Sequence, residues 1–293
     1  MSRSPLLVLD TNLVRFPKRD QLLALRAKGF RLTLSATVLC EVLARSYLGP
    51  ASGPDKGKPD LKPFRVMMDV VAPLLDSTVP LMPTKHDHTV IVVADEPERE
   101  RMLYAAVEDC RDRWAWLTKR PSDDEVLAIG SVAAGELDED GDFSTRMNDM
   151  RGMVNGGDWR EFVDRTFSTF DTDPVLTERL HALCAVMALR TAKMGTNTQG
   201  FKDRKPNDTP DLNVIAQVGL GAFVVTDDLR LIADVRESGT YQAPWIRTTP
   251  EFLAVDIEDL PRGLPWGDEA KREAERFYAA LDAESDETGG EQR

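Results

Sequence analysis

Four acidic residues, Asp10, Glu41, Asp211 and Asp228, stand where their carboxylates can converge. Asp10 ends the apolar run LLVL at 6–9, and Glu41 rides within VLCEVLARSYL. Asp211 opens onto LNVIAQVGL, while Asp228 follows GAFVVT across Asp227. Carboxylates gathered in one place repel one another and raise each other's pKa unless a cation intervenes. Hard oxygen donors select Mg²⁺ or Mn²⁺, and these ions keep waters that can attack phosphorus. The chemistry implied is hydrolysis of a phosphodiester. Each acid taken alone has a plainer explanation, because Asp favours strand-end turns and helix N-caps and a Glu on a helix needs no function. The conjunction carries the reading.

The elements that must position these acids are legible around them. LLVL reads as a buried parallel strand, and in open α/β sheets ligands bind beyond the carboxyl ends of such strands. Helical spacing follows over 19–28, Gly29 interrupts it, and RLTLS at 31–35 reads as a second strand. Ser35 or Thr37 can then cap a helix with Val38, Leu39, Val42 and Leu43 on its apolar face. The Gly- and Pro-rich stretch GPASGPDKGKPD at 49–60 ends the alternation. Helices are expected over 61–76, 98–119, 122–139, 143–154, 158–170 and 174–194, with TVIVVA at 89–94 as a candidate strand. The α/β pattern resumes with a helix from Pro210-Asp211, the strand GAFVVT, and a last strand at WIRT, 245–248. The C-terminal stretch reads as a charged helix over 268–284 and a disordered tail.

Composition bounds the alternatives. A chain of 293 residues that is 42% hydrophobic can bury a large core, and its three separated cysteines suggest neither a disulfide framework nor a zinc site. Its first residues carry no apolar run long enough for a membrane span, so a cytoplasmic protein with no membrane attachment is expected. The net charge of −13 argues against a general electrostatic nucleic-acid binder, although bound cations and a local basic strip can still serve one substrate.

VLDTN around Asp10, LSATVLCEVL around Glu41, PDLNVIAQV around Asp211 and FVVTDDLRLI around Asp228, in that order, resemble the motifs of PIN-domain ribonucleases, including the VapC-like toxins. The resemblance covers about the first 48 and the last 90 residues. It implies a parallel-sheet α/β/α nuclease domain made of 1–48 and 196–260, a mainly helical insertion at 49–195, and a C-terminal helix and tail at 261–293. It further implies Asp10, Glu41 and Asp211 as Mg²⁺ or Mn²⁺ ligands with Asp228 completing the site, Thr226 orienting ligands, and Asn12 supporting the turn or touching substrate. The substrate would be RNA. Because the family supplies toxins of toxin–antitoxin pairs as well as RNA-processing enzymes, an antitoxin, another protein or a second copy of the chain is an expected kind of partner.

Two choices stay open within the match. Asp208 or Asp203 can stand in for Asp211, which is preferred because Val214, Ile215 and Val218 then face the sheet. Asp227 competes with Asp228, which the T-x-D spacing favours. Lys202, Arg204 and Lys205 could hold RNA phosphates at the rim, although charges commonly decorate a solvated loop. His86-Asp87-His88 reads as a polar turn. Trp114 and Trp116 among basic residues could stack single-stranded RNA, but core packing is the simpler reading. A dehalogenase-like phosphotransferase would need a second Asp where Asn12 stands, and none of the three histidines lies in the matched motifs. A non-cleaving PIN-fold module that binds RNA or protein is the alternative.

Overall fold

The computed structural model describes residues 4–50, 53–83, 96–139, 159–168, 174–194, 214–215, 222–240 and 242–260. Leu6–Leu9 forms β1, and all four of its side chains are buried although they alternate between faces, so the sheet is covered on both sides there. After the short helix α1 (Thr11–Arg15) and α2 (Arg19–Ala27), β2 (Arg31–Ser35) returns parallel to β1, with Leu7 opposite Leu32. The Ser35 side chain then accepts from the Val38 amide and starts α3 (Ala36–Leu48). Gly49, at a φ of 67° that L side chains avoid, ends it.

The stretch expected as one helix over 61–76 is instead α4 (Lys62–Val66), a π-helical turn at Met67–Val71 and a 3₁₀ turn at Ala72–Leu74. Pro73 explains the break, because it offers no amide hydrogen and its ring opposes the carbonyl four residues back. Leu81–Met82 follows as β3 and pairs parallel with β2, Leu34 opposite Leu81. This two-residue strand was not expected. The candidate strand at 89–94, His86 to His88, the helix expected at 143–154 and the tail after 260 lie outside the described residues.

Helices α5 (Glu96–Thr118), α6 (Asp123–Glu139), α7 (Trp159–Ser168) and α8 (Pro174–Met194) fill the middle of the chain. The strand β4 (Phe223–Val225) enters the sheet beside β1, with Val8 opposite Val224. Then come α9 (Leu229–Ser238), β5 (Ile246–Arg247) and α10 (Thr249–Ala254), whose Thr248–Glu251 capping box holds its first turn. The result is an α/β protein with five parallel strands in the order β3-β2-β1-β4-β5. Phe252, fully buried on α10, packs edge-on against Phe30 and Phe223, and Phe223 stacks on Trp245. No helix among the described residues is long and apolar enough to cross a membrane.

Phe64 of α4, Val107 and Leu117 of α5, and Ala134 of α6 share this core. Val126 and Ala133 of α6 are buried in the same cluster as Val42 and Leu43 of α3. The two helices approach closely at Gly130, where an added Cβ would lie 2.6 Å from the Leu43 carbonyl oxygen and 3.0 Å from Tyr47 Cβ. A backbone oxygen cannot swing aside as a side-chain tip can. Gly130→Ala should therefore cost about 1–3 kcal/mol through overpacking, outweighing the gain of about 1 kcal/mol in helix propensity. Urea denaturation of the variant measures the difference, and a midpoint at or above that of the parent would contradict this account of the crossing.

Candidate functional site

The strand order places the site. From β1 the chain builds outward through β2 and β3, then returns to the other side of β1 for β4 and β5, so the order reverses between β1 and β4. Crevices beyond the carboxyl ends of strands at such a reversal are where open parallel sheets bind ligands. The register pairs Leu9 with Val225, and the Asp10 amide donates to the Val225 carbonyl at 3.0 Å. Asp10 and Thr226 thus leave the sheet side by side at this edge.

Asp10 is only 2% exposed, and its carboxylate is held from several directions. The Thr11 amide donates to Oδ1 at 2.7 Å, making Asp10 the N-cap of α1, and the Thr226 hydroxyl donates to Oδ2 at 2.7 Å. The Asn12 amide group reaches Oδ2 at 3.5 Å from an exposed position. Glu41, 8% exposed on the second turn of α3, accepts a hydrogen bond from the Thr11 hydroxyl. Thr11 therefore bridges the two acids, its amide on Asp10 and its hydroxyl on Glu41. Burial pushes the Asp10 carboxyl above the usual range, opposed by the Thr226 and Thr11 hydrogen bonds and reinforced by the negative charge of Asp228. Burial likewise raises Glu41, with Asp10 adding repulsion and Thr11, Arg45 and Arg15 working the other way. Each acid is thus held beside another negative charge in a poorly solvated place.

The remaining expected residues divide. Thr226 is fully buried between Asp10, to which it donates, and the Asp228 amide, from which it accepts at 3.0 Å. Asp228 caps α9 by accepting the amides of Arg230 and Leu231 through Oδ1, and it faces Asp10 closely enough to repel it. Asp227 turns away, accepting the Thr249 amide at 3.2 Å and facing Lys18 Nζ at 3.5 Å. Asp211, Asp208 and Asp203, together with Lys202, Arg204 and Lys205, lie outside the described residues. Among the described residues no three metal-ligating side chains gather closely enough to hold an ion.

Three neighbours of the acids were not anticipated: Thr11 as the bridge, and Arg15 and Arg45 beside Glu41. The spacing of four between Glu41 and Arg45 on one helix was an available signal for the last. Trp114 and Trp116 are partly buried against the core, in line with the simpler of their two readings. Fold and site together define an α/β protein with a parallel sheet and a buried acidic pair at its carboxyl edge. No family model, curated protein or solved structure matches the chain.

Proposed function

We propose that this chain is a PIN-like, metal-dependent endoribonuclease that hydrolyses RNA at the Asp10–Glu41 edge of the sheet. The observation that carries the reading is the pairing of two buried acids, bridged by Thr11, at the β1/β4 reversal, with Asp228 facing Asp10. A fold gains nothing in stability from burying like charges, so a ligand that relieves the repulsion is the economical reason for them.

The donor chemistry fits Mg²⁺ or Mn²⁺. Asp10 and Glu41 offer hard oxygen donors, no thiolate or imidazole stands among the residues just described, and Asp228 contributes further negative charge. When bound, such an ion supplies an acidic water and a counter-charge for phosphate oxygens. The chain's own residues do the positioning. Thr226 and the Thr11 amide hold the Asp10 carboxylate in one orientation, and the Thr11 hydroxyl fixes Glu41. Asp211, at the start of its expected helix, is the proposed third acid. Cytoplasmic residence and a toxin-like role held in check by a protein partner belong to the same reading.

Incubation with a panel of single-stranded and structured RNAs tests it. Cleavage should appear with Mn²⁺ or Mg²⁺ and vanish in EDTA. No cleavage of any RNA with metal supplied would sink the nuclease reading in favour of a module that binds without cutting.

A further inference from the structure

Between α4, its π-helical continuation and the end of α5 lies a cavity of about 700 Å³, a size that holds a small organic ligand. Its lining shares no residue with the acidic site. It lies instead toward the amino end of β2, where Arg31, the first residue of that strand, bonds the cavity's Asp76 at 2.8 Å. Phe64, Met68, Trp114 and Leu117 give it an apolar and aromatic wall. Of the charged groups around it, Asp76 is held by Arg31 and Thr78, and Arg65 pairs with Asp123 at 2.7 Å. Arg120 and Asp69 are left, a cation and an anion that line one cavity from different elements and form no ion pair with each other or with any described residue. Both occupy unusual backbone. Arg120, at the end of α5, is the non-glycine residue with a positive φ, 56°, among the described residues, where glycine is the unstrained choice. Asp69 stands in the π-helical turn Met67–Val71, and such turns recur at functional sites.

We propose that this cavity binds a guanine nucleotide, with Trp114 against the base, Asp69 on its N–H edge and Arg120 on the phosphate. The class follows from what the wall leaves unmatched. An aliphatic zwitterion would make no use of the aromatic side chains, and an aromatic acid would leave Asp69 facing a second anion. An aromatic amino acid carries both charges but fills only a fraction of the volume. A nucleotide supplies a flat ring for Trp114 and, beyond its ribose, a phosphate suited to the guanidinium fork. Guanine presents two adjacent N–H donors, which match the two oxygens of one carboxylate. Nothing in this site depends on the nuclease reading.

The test is isothermal titration of the full chain with guanosine 5′-monophosphate in EDTA, the chelator keeping metal-held phosphate at the acidic edge out of the signal. The nucleotide should bind, adenosine 5′-monophosphate should bind at least about 10-fold more weakly, and ribose 5-phosphate and phenylalanine should not bind. Arg120→Gly removes the cation and relieves the backbone, so binding should weaken by about 10-fold or more while the melting temperature holds or rises. A merely structural role for Arg120 would lower the melting temperature instead. Asp69→Asn, which keeps size but gives guanine a donor to face, should erase the preference over adenosine. No binding of guanosine 5′-monophosphate, equal affinity for adenosine 5′-monophosphate, a preference for phenylalanine, or variants that bind like the parent overturns the proposal. RNA cleavage with Mn²⁺ is read separately, and its absence would remove the nuclease while leaving a nucleotide-binding chain.

Discussion

Asp10→Asn should lower metal-dependent cleavage by about 10²–10³-fold and, in EDTA, raise the melting temperature of the same protein. The two effects have one cause. Asp10 is buried and repelled by Asp228, so its carboxyl is held above its ordinary range. Between the unfolded value of 3.8 and the raised folded one, the folded chain holds more protons than the unfolded chain, and stability falls as pH rises through the folded pKa. At neutral pH the metal-free parent therefore carries an unfavourable buried charge. An asparagine removes that charge, can still accept from the Thr11 amide, and can donate to the Thr226 hydroxyl. Each kcal/mol recovered should appear as about 2–4 °C in Tm. Adding Mn²⁺ should raise the Tm of the parent and leave the variant unmoved, because an ion that binds only the folded state stabilises it. A variant that cuts like the parent would end the assignment of Asp10, and a variant that melts lower in EDTA would show that the carboxylate serves the fold.

Asp234→Ala should be the most damaging single change outside the sheet, at about 3–5 kcal/mol. Asp234 sits buried on α9 and accepts from Arg190 Nε at 2.8 Å and from Lys193 Nζ at 2.9 Å, both on α8. Arg190 is itself only 3% exposed, so removing the carboxylate takes a charged hydrogen bond from a guanidinium held in the interior. These hydrogen bonds, with the two cations, hold the Asp234 carboxyl below the ordinary range despite its burial. The sign is opposite to that of Asp10: the stability it contributes is present above the unfolded pKa and lost as pH falls through the folded one. Urea denaturation of Asp234→Ala near neutral pH, compared with a variant replacing both Asp234 and Arg190 by leucine and methionine, reads the effect. The single variant should lose more than the double, since a matched apolar pair fills the space and leaves no buried cation whose carboxylate has been removed. Equal losses would mean that packing, and not the ion pair, joins α8 to α9.

A falling pH thus acts on this molecule in two directions. Acidification relieves Asp10 and Glu41, whose folded carboxyls are raised, and weakens Asp76, Asp234 and Glu251, whose carboxyls are lowered by their cationic and hydrogen-bonded partners.

What the amino-acid order determined alone was whatever depends on neighbours in the chain. LLVL ending at Asp10, RLTLS at 31–35, the Ser35 cap and the helix at 174–194 are each written in a run of a few residues, and each stands where the run places it. The proximity of Asp10, Thr226 and Asp228 was legible too, because acids at the ends of parallel strands share an edge. Other features came only from the tertiary structure. Leu81–Met82 is too short to show a period and becomes a strand only because β2 offers a free edge. Asp227 and Asp228 are adjacent and chemically alike, and the α10 amide and Lys18 on one side and the α9 amides on the other tell them apart. The Thr11 bridge to Glu41 and the approach of Arg15 to Glu41 join residues 30 and 26 positions apart. Local propensity carries no information about such partners. The acids could be named from the sequence, but their burial, their mutual repulsion and the cations that temper it arise only when the strands bring them to one edge.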